Sequence, residues 1–315
     1  MSFSSEVKEE LSRQLSTARH CQIAEIAAII SMCGGISISA KDRYCLKIQT
    51  ENVAVSRKYF TLLKKTFNIC TEVSIKQHVS QKKSRTYMVL IKSHEDTMRV
   101  LQAAKLIGKD MEIGEDFSAV SNVVVQNACC RRAFIRGAFL AAGSISAPEK
   151  FYHFEIVCMS VYKAEQLQAI INTFDIDAKI VQRKKYYVVY IKEGAQIVEI
   201  LNVMEAHVAL MNLENVRILK EMRNSVNRQV NCETANINKT VNAAVKQIED
   251  IQYIQSTIGF DSLSEGLEDV ARLRLEQPEA TLKELGMMLT PQVGKSGVNH
   301  RLRKLSNLAD ELRGK

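Results

Sequence analysis

The stretch RGAFLAAGSISA (residues 136–147) decides the fold, because its last ten residues repeat an earlier stretch of the same chain, IISMCGGISI (29–38). The alignment pairs Gly143 with Gly34. Both stretches read as an apolar helix that ends at a glycine, a residue able to adopt the left-handed conformation of a helix C-cap. Their spacing of roughly 100 residues is too long for a solenoid repeat. The sequence therefore predicts two copies of a half-domain.

The two copies also agree downstream of this stretch. LKIQTEN (46–52) matches FEIVCMS (154–160), and YMVLIK (87–92) matches YVVYIK (187–192). Each copy predicts the order helix, strands, helix, strands, helix, which is an α+β arrangement. The apolar positions behind this prediction are Cys45, Ile48, Phe60, Leu63 and Phe67 in the first copy, and Phe154, Ile156, Leu167, Ile171 and Phe174 in the second.

The repeated helix resembles the LAGLIDADG motif of homing endonucleases. In that family two such helices pack side by side on a pseudo-twofold axis, and the flanking sheets form a mixed α/β saddle over DNA. The resemblance implies that the basic hairpins QKKSR (81–85) and QRKK (182–185) lie on the DNA side. It also implies a close approach of the helices through their small residues, although core packing alone would explain these equally well. The small residues are Ala27, Ala28, Gly137, Ala138, Ala141 and Ala142.

The same resemblance bears on catalysis. The family's last motif acid, just before the final glycine, holds the divalent metal ion that activates water. Cys33 and Ala142 occupy those positions here, and neither is a ligand for a hard cation. We therefore expect no catalytic residues, no metal and no enzyme activity. The alternative is a surviving nuclease that uses another acid, such as Glu25 or Glu155.

Composition and charge favour an ordered protein with a polyanionic partner. Hydrophobic residues make up 46% of the 315 residues and charged residues 25%, as in globular domains. The formal net charge of +8 suits nucleic acid rather than a membrane.

The eight cysteines and the N-terminus indicate the cellular compartment. The sequence contains no Cys-x-x-Cys pair, its six histidines are scattered, and it starts with the polar stretch MSFSSEVKEELSRQ. We expect no cofactor, cysteines that serve as small core residues, and a reducing cytoplasmic, nucleoid-associated location.

The C-terminal region predicts a helix-turn-helix. A first helix ends near Pro278, and Thr281-x-x-Glu284 is a capping box that opens a second. TPQVG (290–294) is a compact turn rich in helix breakers. A third helix, from about Ser296, carries an apolar stripe of Val298, Leu302, Leu305, Ala309 and Leu312.

The third helix also carries the candidate DNA contacts. From residue 281 onward, seven Lys or Arg residues stand against three Asp or Glu. Asn299, His300, Arg303 and Asn307 project away from the stripe, as base-reading side chains do. Arg301 lies beside the stripe and is expected to extend to a phosphate. The alternative is a solvated polar face. The full candidate set is Thr281, Lys283, Lys295, Ser296, Asn299, His300, Arg301, Arg303, Lys304 and Asn307.

The segment before this region is basic and helical in pattern, with many asparagines, which are poor helix-interior residues. They are Asn224, Asn227, Asn231, Asn236, Asn238 and Asn242. Either these amides contact a phosphate backbone or they hold a linker against the first domain. Further candidate DNA contacts in the hairpins and linker are Lys82, Lys83, Arg85, Arg183, Lys184, Lys185, Arg223, Arg228 and Lys239.

The duplication, MRNSVNRQVNCETANINKTV (222–241), LKELGMML (282–289) and KSGVNHRLRKL (295–305) together closely resemble the WhiA family. The resemblance implies a cytoplasmic bacterial regulator that binds double-stranded DNA through its C-terminal domain. It also implies a role in sporulation or in cell division and chromosome segregation, depending on the bacterial group.

We expect LAGLIDADG-like halves at 1–110 and 127–215, a helical linker at 216–258 and a helix-turn-helix domain at 259–315. A different class of function is an interaction protein whose front domain docks another transcription regulator or an RNA polymerase component.

Overall fold

The computed structural model describes residues 2–38, 44–77, 85–107 and 120–314. The chain divides into two compact units, Met1–Lys220 and Glu221–Lys315. Within the described ranges, no helix is both long and apolar enough to cross a lipid bilayer.

The first unit contains the predicted duplication. Its first copy follows an N-terminal helix and consists of α2 (Arg19–Cys33), β1 (Gly34–Ile38), β2 (Tyr44–Thr50), α3 (Val53–Phe67), β3 (Glu72–Gln77), β4 (Arg85–Ile91) and α4 (His94–Ala103). The second consists of α5 (Ala128–Ala142), β5 (Gly143–Ile145), β6 (Phe154–Cys158), α6 (Val161–Asn172), β7 (Lys179–Arg183), β8 (Tyr186–Ile191) and α7 (Gly194–Met204). The N-terminal helix is α1 (Phe3–Arg13). The predicted α+β class and order of elements are confirmed.

Each copy forms an antiparallel four-stranded sheet, with strand orders β1-β2-β4-β3 and β5-β6-β8-β7. One face of each sheet packs on the helices, so buried residues alternate along β2 and β6. On β2 the buried residues are Leu46 and Ile48. Cys45 lies on the opposite face from Ile48, because residues three apart on a strand point to opposite faces.

Helices α2 and α5 pack directly against each other along the middle of the first unit. α2 is buried on all sides from Ala24 to Met32, as expected for a helix with little polar surface. A Cβ atom added to Gly137 would lie 2.6 Å from the Glu25 carbonyl oxygen and 3.0 Å from the Ala28 Cβ. The predicted close approach is therefore confirmed, and Gly137 permits it.

The two glycines that close these helices act differently from the prediction. Gly34 and Gly143 have φ of −81° and −87°, which is ordinary extended backbone and not the left-handed cap. Each glycine begins a strand at once, so the chain turns back over the last helical turn. A Cβ atom on Gly34 would collide with the Ile30 carbonyl oxygen, and one on Gly143 with Phe139. Glycine is needed here because it has no Cβ atom, and not because of a left-handed backbone conformation.

A buried ionic cluster crosses the helix pair. The Glu25 carboxylate on α2 is fully buried and accepts from Lys58 Nζ at 2.9 Å and from Arg136 Nε at 3.1 Å. Arg136 also donates to Glu205 at 2.6 Å, and Lys58 to the backbone carbonyls of Leu11 and Gln14. Since each buried charge has partners, the cluster is tolerated in a low-dielectric interior.

The second unit is helical. Its elements are the C-terminal part of α8 (His207–Thr257), α9 (Glu265–Glu276), α10 (Leu282–Met288) and α11 (Lys295–Leu312). Ile251 and Ile254 of α8 are fully buried in the same core as Val270, Leu285 and Leu302. The last turns of the segment predicted as a linker therefore help to build this core.

Candidate nucleic-acid interface

The helix-turn-helix is held by its caps and by a close-packed turn. Thr281 accepts from the Glu284 backbone N–H at 3.3 Å, and Glu284 accepts from the Thr281 N–H at 2.7 Å, which completes the predicted capping box. The N–H of Val293 donates to the Gly286 carbonyl at 2.9 Å. Because a Cβ atom on Gly286 would collide with the Val293 carbonyl, only glycine lets the turn pack on α10. These contacts fix the position of α11 relative to α10.

α11 has one buried side and one exposed side. Val298, Leu302, Leu305 and Ala309 are almost completely buried, so this part of the predicted apolar stripe is confirmed. The candidate base-reading residues lie on the exposed side, together with one further cation; they are Asn299, His300, Arg303, Lys304 and Asn307. The arrangement presents amide, imidazole and guanidinium groups along the same helix face.

The start of α11 is open to an anion. Its N-cap is Gly294, which has no side chain to accept from the first backbone N–H groups, and its first turn contains no acidic residue. Lys295 and Ser296 are exposed there. Free N–H groups and the positive end of the helix dipole favour phosphate at such a position.

The exposed cations of α11 are also free of acidic partners within the described part of the chain. The ion pairs of this helix lie at its opposite end, between Asp310 and Lys246 and between Arg313 and Asp250. Arg313 Nη1 is 2.6 Å from the Asp250 carboxylate. Acidic residues therefore tie the C-terminal end of α11 to α8 and leave the charge of its N-terminal half uncompensated.

Arg301 differs from the prediction. Its Nη1 donates to the Gly266 carbonyl oxygen of α9 at 3.1 Å, and its side chain is only partly exposed. The guanidinium therefore links α9 to α11 instead of extending to solvent, and we do not retain Arg301 among the proposed DNA contacts. Thr281 and Lys283, at the start of α10, are exposed.

The hairpin candidates are only partly described. Lys82 and Lys83 lie outside the described residues, and Arg85 is exposed at the start of β4. In the second copy, Lys184 and Lys185 form the exposed turn between β7 and β8, with Lys184 at φ 55°. Arg183 Nη1 is 2.9 Å from the Glu155 carboxylate, so this cation is partly neutralised.

The candidates before the helix-turn-helix lie on one continuous helix. α8 begins at His207, before the predicted start of the helical linker at residue 216. Arg223, Arg228 and Lys239 are exposed along it, and so are all six asparagines of this segment.

Cys33 and Ala142 stand at the two positions of the nuclease motif acids, and a lysine lies close to Cys33. Cys33 donates to the Ile29 carbonyl at 3.3 Å, and burial raises the pKa of its thiol to about 12. Lys8 of α1 interacts electrostatically with Cys33, and its Nζ lies 5.8 Å from the Phe139 ring centroid. Burial lowers the pKa of Lys8 to about 8, so the amine is still mostly charged at neutral pH and would repel a divalent cation.

The two acids considered as alternatives are also engaged. Glu25 is fully buried against Lys58 and Arg136 and is not accessible to a substrate. Glu155 accepts from Ser144, from Arg183 at 2.9 Å and from His153 at 3.0 Å. Although burial alone would raise it, these partners hold the pKa of Glu155 below its usual value. Neither carboxylate is arranged as one of a pair of metal ligands.

One group of metal-binding side chains was not predicted from the sequence. His20, Cys21, Cys129 and Cys130 come together, with their ligand atoms all within 4.8 Å of one another. The expectation that cysteine and histidine do not cluster is wrong for these four. A signal was present, because Cys21 and Cys130 precede their respective closing glycines, Gly34 and Gly143, by the same number of residues.

The fold and this interface define a class of protein in which two LAGLIDADG-like half-domains precede a helix-turn-helix domain. Family models match all three parts: the WhiA N-terminal LAGLIDADG-like domain at 19–107, the WhiA LAGLIDADG-like domain at 131–223 and the WhiA C-terminal HTH domain at 226–309. The chain belongs to the WhiA family.

Relatives and one solved structure agree with this assignment. The chain is 60% identical to the "Probable cell division protein WhiA" of Lachnoclostridium phytofermentans, over 99% of this chain and 100% of the relative. It is 49% identical to the protein of the same name from Alkaliphilus oremlandii, over 99% and 98%. The full-length DUF199/WhiA crystal structure from Thermatoga maritima has the same fold, with a TM-score of 0.59, 24% identity and 99% of both chains covered.

Proposed function

We propose that this protein is a sequence-specific double-stranded DNA-binding protein that reads its site with the exposed face of α11. The observation that carries the proposal is the presence of Asn299, His300 and Arg303 on one solvent-facing side of a helix whose other side is buried. Asparagine and arginine make bidentate hydrogen bonds to adenine and guanine edges in the major groove. Lys295 and Ser296 would bind phosphate at the helix start.

The remaining contacts in the proposal are supporting ones to the DNA backbone. Thr281, Lys283, Lys304 and Asn307 flank the reading face. Arg223, Arg228 and Lys239 of α8, and the hairpin cations of the first unit, would add contacts that do not depend on sequence. The front domain would contribute no cleavage, since Lys8 and Cys33 stand where a metal site would be needed.

The biological role follows from the relatives. Since those that match the whole chain are named as probable cell division proteins, we assign the protein to cell division and its transcriptional control. The sequence resemblance adds chromosome segregation, and sporulation in relatives. A protein that binds DNA in this way would act at the nucleoid, in the cytoplasm.

A second candidate function is protein binding, with another transcription regulator or an RNA polymerase component as the partner. It is favoured by apolar side chains that are exposed along the part of α8 in the second unit: Met222, Val226, Val230, Ile237 and Val241. Such a partner would remain bound at salt concentrations that release DNA.

The test separates reading from folding. Arg303→Ala should weaken binding to the preferred duplex by about 1–3 kcal/mol, the worth of one good base contact, and should weaken binding to random duplex much less. The preferred duplex would first be identified by selection from a random pool. Lys246→Ala, which removes one exposed positive charge beside Asp310 at the C-terminal end of α11, is the matched control and should preserve the ratio between the two duplexes.

Circular dichroism distinguishes a folding defect from a binding defect. Leu302→Ala removes a buried side chain and should cost about 2–5 kcal/mol of stability. Binding to the preferred duplex and to the random duplex should therefore be lost together. If Arg303→Ala, Asn299→Ala and His300→Ala all bind both duplexes like the parent, α11 is not the reader and the proposal fails.

A further inference from the structure

The starts of α2 and α5 bring four metal-binding side chains together in the first unit. His20 and Cys21 lie in the first turn of α2, and Cys129 and Cys130 in the first turn of α5. His20 Nδ1 is 3.1 Å from Cys130 Sγ and 3.4 Å from Cys21 Sγ. All four ligand atoms lie within 4.8 Å of one another.

These separations suit a single tetrahedral ion. Zinc binds cysteine sulfur at about 2.3 Å and histidine nitrogen at about 2.0–2.1 Å, which sets neighbouring ligand atoms roughly 3.5–3.8 Å apart. The two distances from His20 Nδ1, 3.1 and 3.4 Å, lie just below that range, and all four ligand atoms lie within 4.8 Å of one another, so small side-chain rotations would complete the shell. We propose that His20, Cys21, Cys129 and Cys130 bind a structural zinc ion that joins the two central helices.

The ligand set selects the ion and the type of site. Three thiolates, which are soft ligands, together with one imidazole favour zinc over magnesium or calcium. Four protein ligands leave no open position for water or substrate, which is the pattern of a structural site. The ion would therefore brace the helix pair at the end opposite Gly34 and Gly143 and would take no part in cleavage of DNA.

The surroundings compensate the charge of such a site. Zinc with three thiolates carries a net charge of about −1, given the ionised ligands. Arg132 lines the same cleft as Cys21 and Cys129. The cluster lies in the first turns of two helices, where the helix dipoles are positive, and neither first turn contains an acidic residue.

Zinc binds cysteine as the thiolate, so its binding would displace the thiol protons and should release acid.

The duplication explains how the site is assembled. Each copy supplies two adjacent residues at the same distance from its closing glycine, so the pseudo-twofold relation of the copies brings the pairs face to face. Neither pair is a metal site alone. The site thus depends on the packing of α2 on α5 and does not involve the second unit.

The experiment measures metal in the full-length chain, purified without a histidine tag under reducing conditions. Elemental analysis by mass spectrometry should find about one zinc per chain, as one closed site requires. After removal of zinc with a chelator, Co²⁺ should restore one equivalent with the absorption bands of a tetrahedral thiolate complex.

Paired variants connect the metal to these residues. His20→Ala with Cys129→Ser changes the two exposed ligands and spares the buried ones, so the double variant should still fold. Its affinity for Co²⁺ should fall by more than the roughly 10- to 100-fold that the loss of an outer-shell partner costs, because two direct ligands are lost. Cys70→Ser with Cys232→Ser changes two exposed cysteines elsewhere and should bind like the parent.

Three results would overturn the proposal. One is metal content far below one per chain after growth with added zinc. Another is a cobalt spectrum that is the same in the His20–Cys129 variant as in the parent. The third is a disulfide from Cys21 to Cys129 or Cys130, found by peptide mapping of protein kept under reducing conditions.

Discussion

Replacing Glu25 with glutamine tests whether this acid is a structural partner of the helix pair. The substitution keeps the shape of the side chain and removes the only carboxylate that contacts Lys58 Nζ within 4.0 Å among the described residues. It also removes one of the two carboxylates that bind Arg136. Removing one partner of a buried ion pair costs about 3–5 kcal/mol, because the other charge stays buried without compensation. We expect Glu25→Gln to lose stability in that range.

Glu205→Gln is the matched control. Glu205 contacts the same Arg136 at 2.6 Å, but its side chain is 47% exposed, so solvent screens the pair. We expect its loss to cost less than about 1 kcal/mol. Urea denaturation, followed by a probe in the first unit because two units need not unfold together, measures both variants. Losses of similar size in the two variants would refute the assignment of Glu25 as the buried centre of the cluster.

The pH dependence gives an independent check. Burial lowers the pKa of Lys58, and the negative charge of Glu25 raises it part of the way back. Without Glu25 the folded-state pKa of Lys58 falls further, while the unfolded value is unchanged. Consider the pH range between the folded-state pKa of Lys58 in the variant and that in the parent. There the unfolded variant binds more protons than the folded variant, so the free energy of unfolding of the variant rises with pH. The difference in stability between the parent and Glu25→Gln should therefore narrow as pH rises. A deficit that is constant with pH would contradict a charged Lys58.

Two further predictions concern packing and DNA contact. Gly137→Ala should destabilise the first unit by about 1–3 kcal/mol, because its Cβ would lie 2.6 Å from the Glu25 carbonyl oxygen. Gly35→Ala, which has open space around its Cβ, is the control. Equal losses of stability in thermal melts of the two variants would contradict close helix packing. Replacing the three cations at 183–185 with alanine should make the slope of log affinity against log salt shallower by about 2, since one of the three is already paired with Glu155. An unchanged slope would mean that this hairpin does not touch DNA.

The sequence was sufficient where a pattern is local. The duplication predicted the order of helices and strands in both copies, because burial on one face imposes a period on each element. The capping box at Thr281 and the stripe from Val298 to Ala309 predicted α10 and α11 for the same reason. A helix face is determined by spacing along the chain, so its exposed residues were predictable as well.

The tertiary structure decided what depends on distant residues. Arg136 meets Glu25 across 111 positions, and His20 meets Cys130 across 110, so neither pair has a signature in local spacing. Glu10 of α1 accepts from the backbone N–H groups of Val208 and Ala209 at the start of α8, 198 and 199 positions away. Gly34 and Gly143 were predictable as helix ends. Whether glycine is needed there for a left-handed backbone conformation or for the absence of a Cβ atom depended on the path of the following strand. A local pattern specifies which face of an element is buried, whereas the residue that meets that face is chosen by the packing of whole helices.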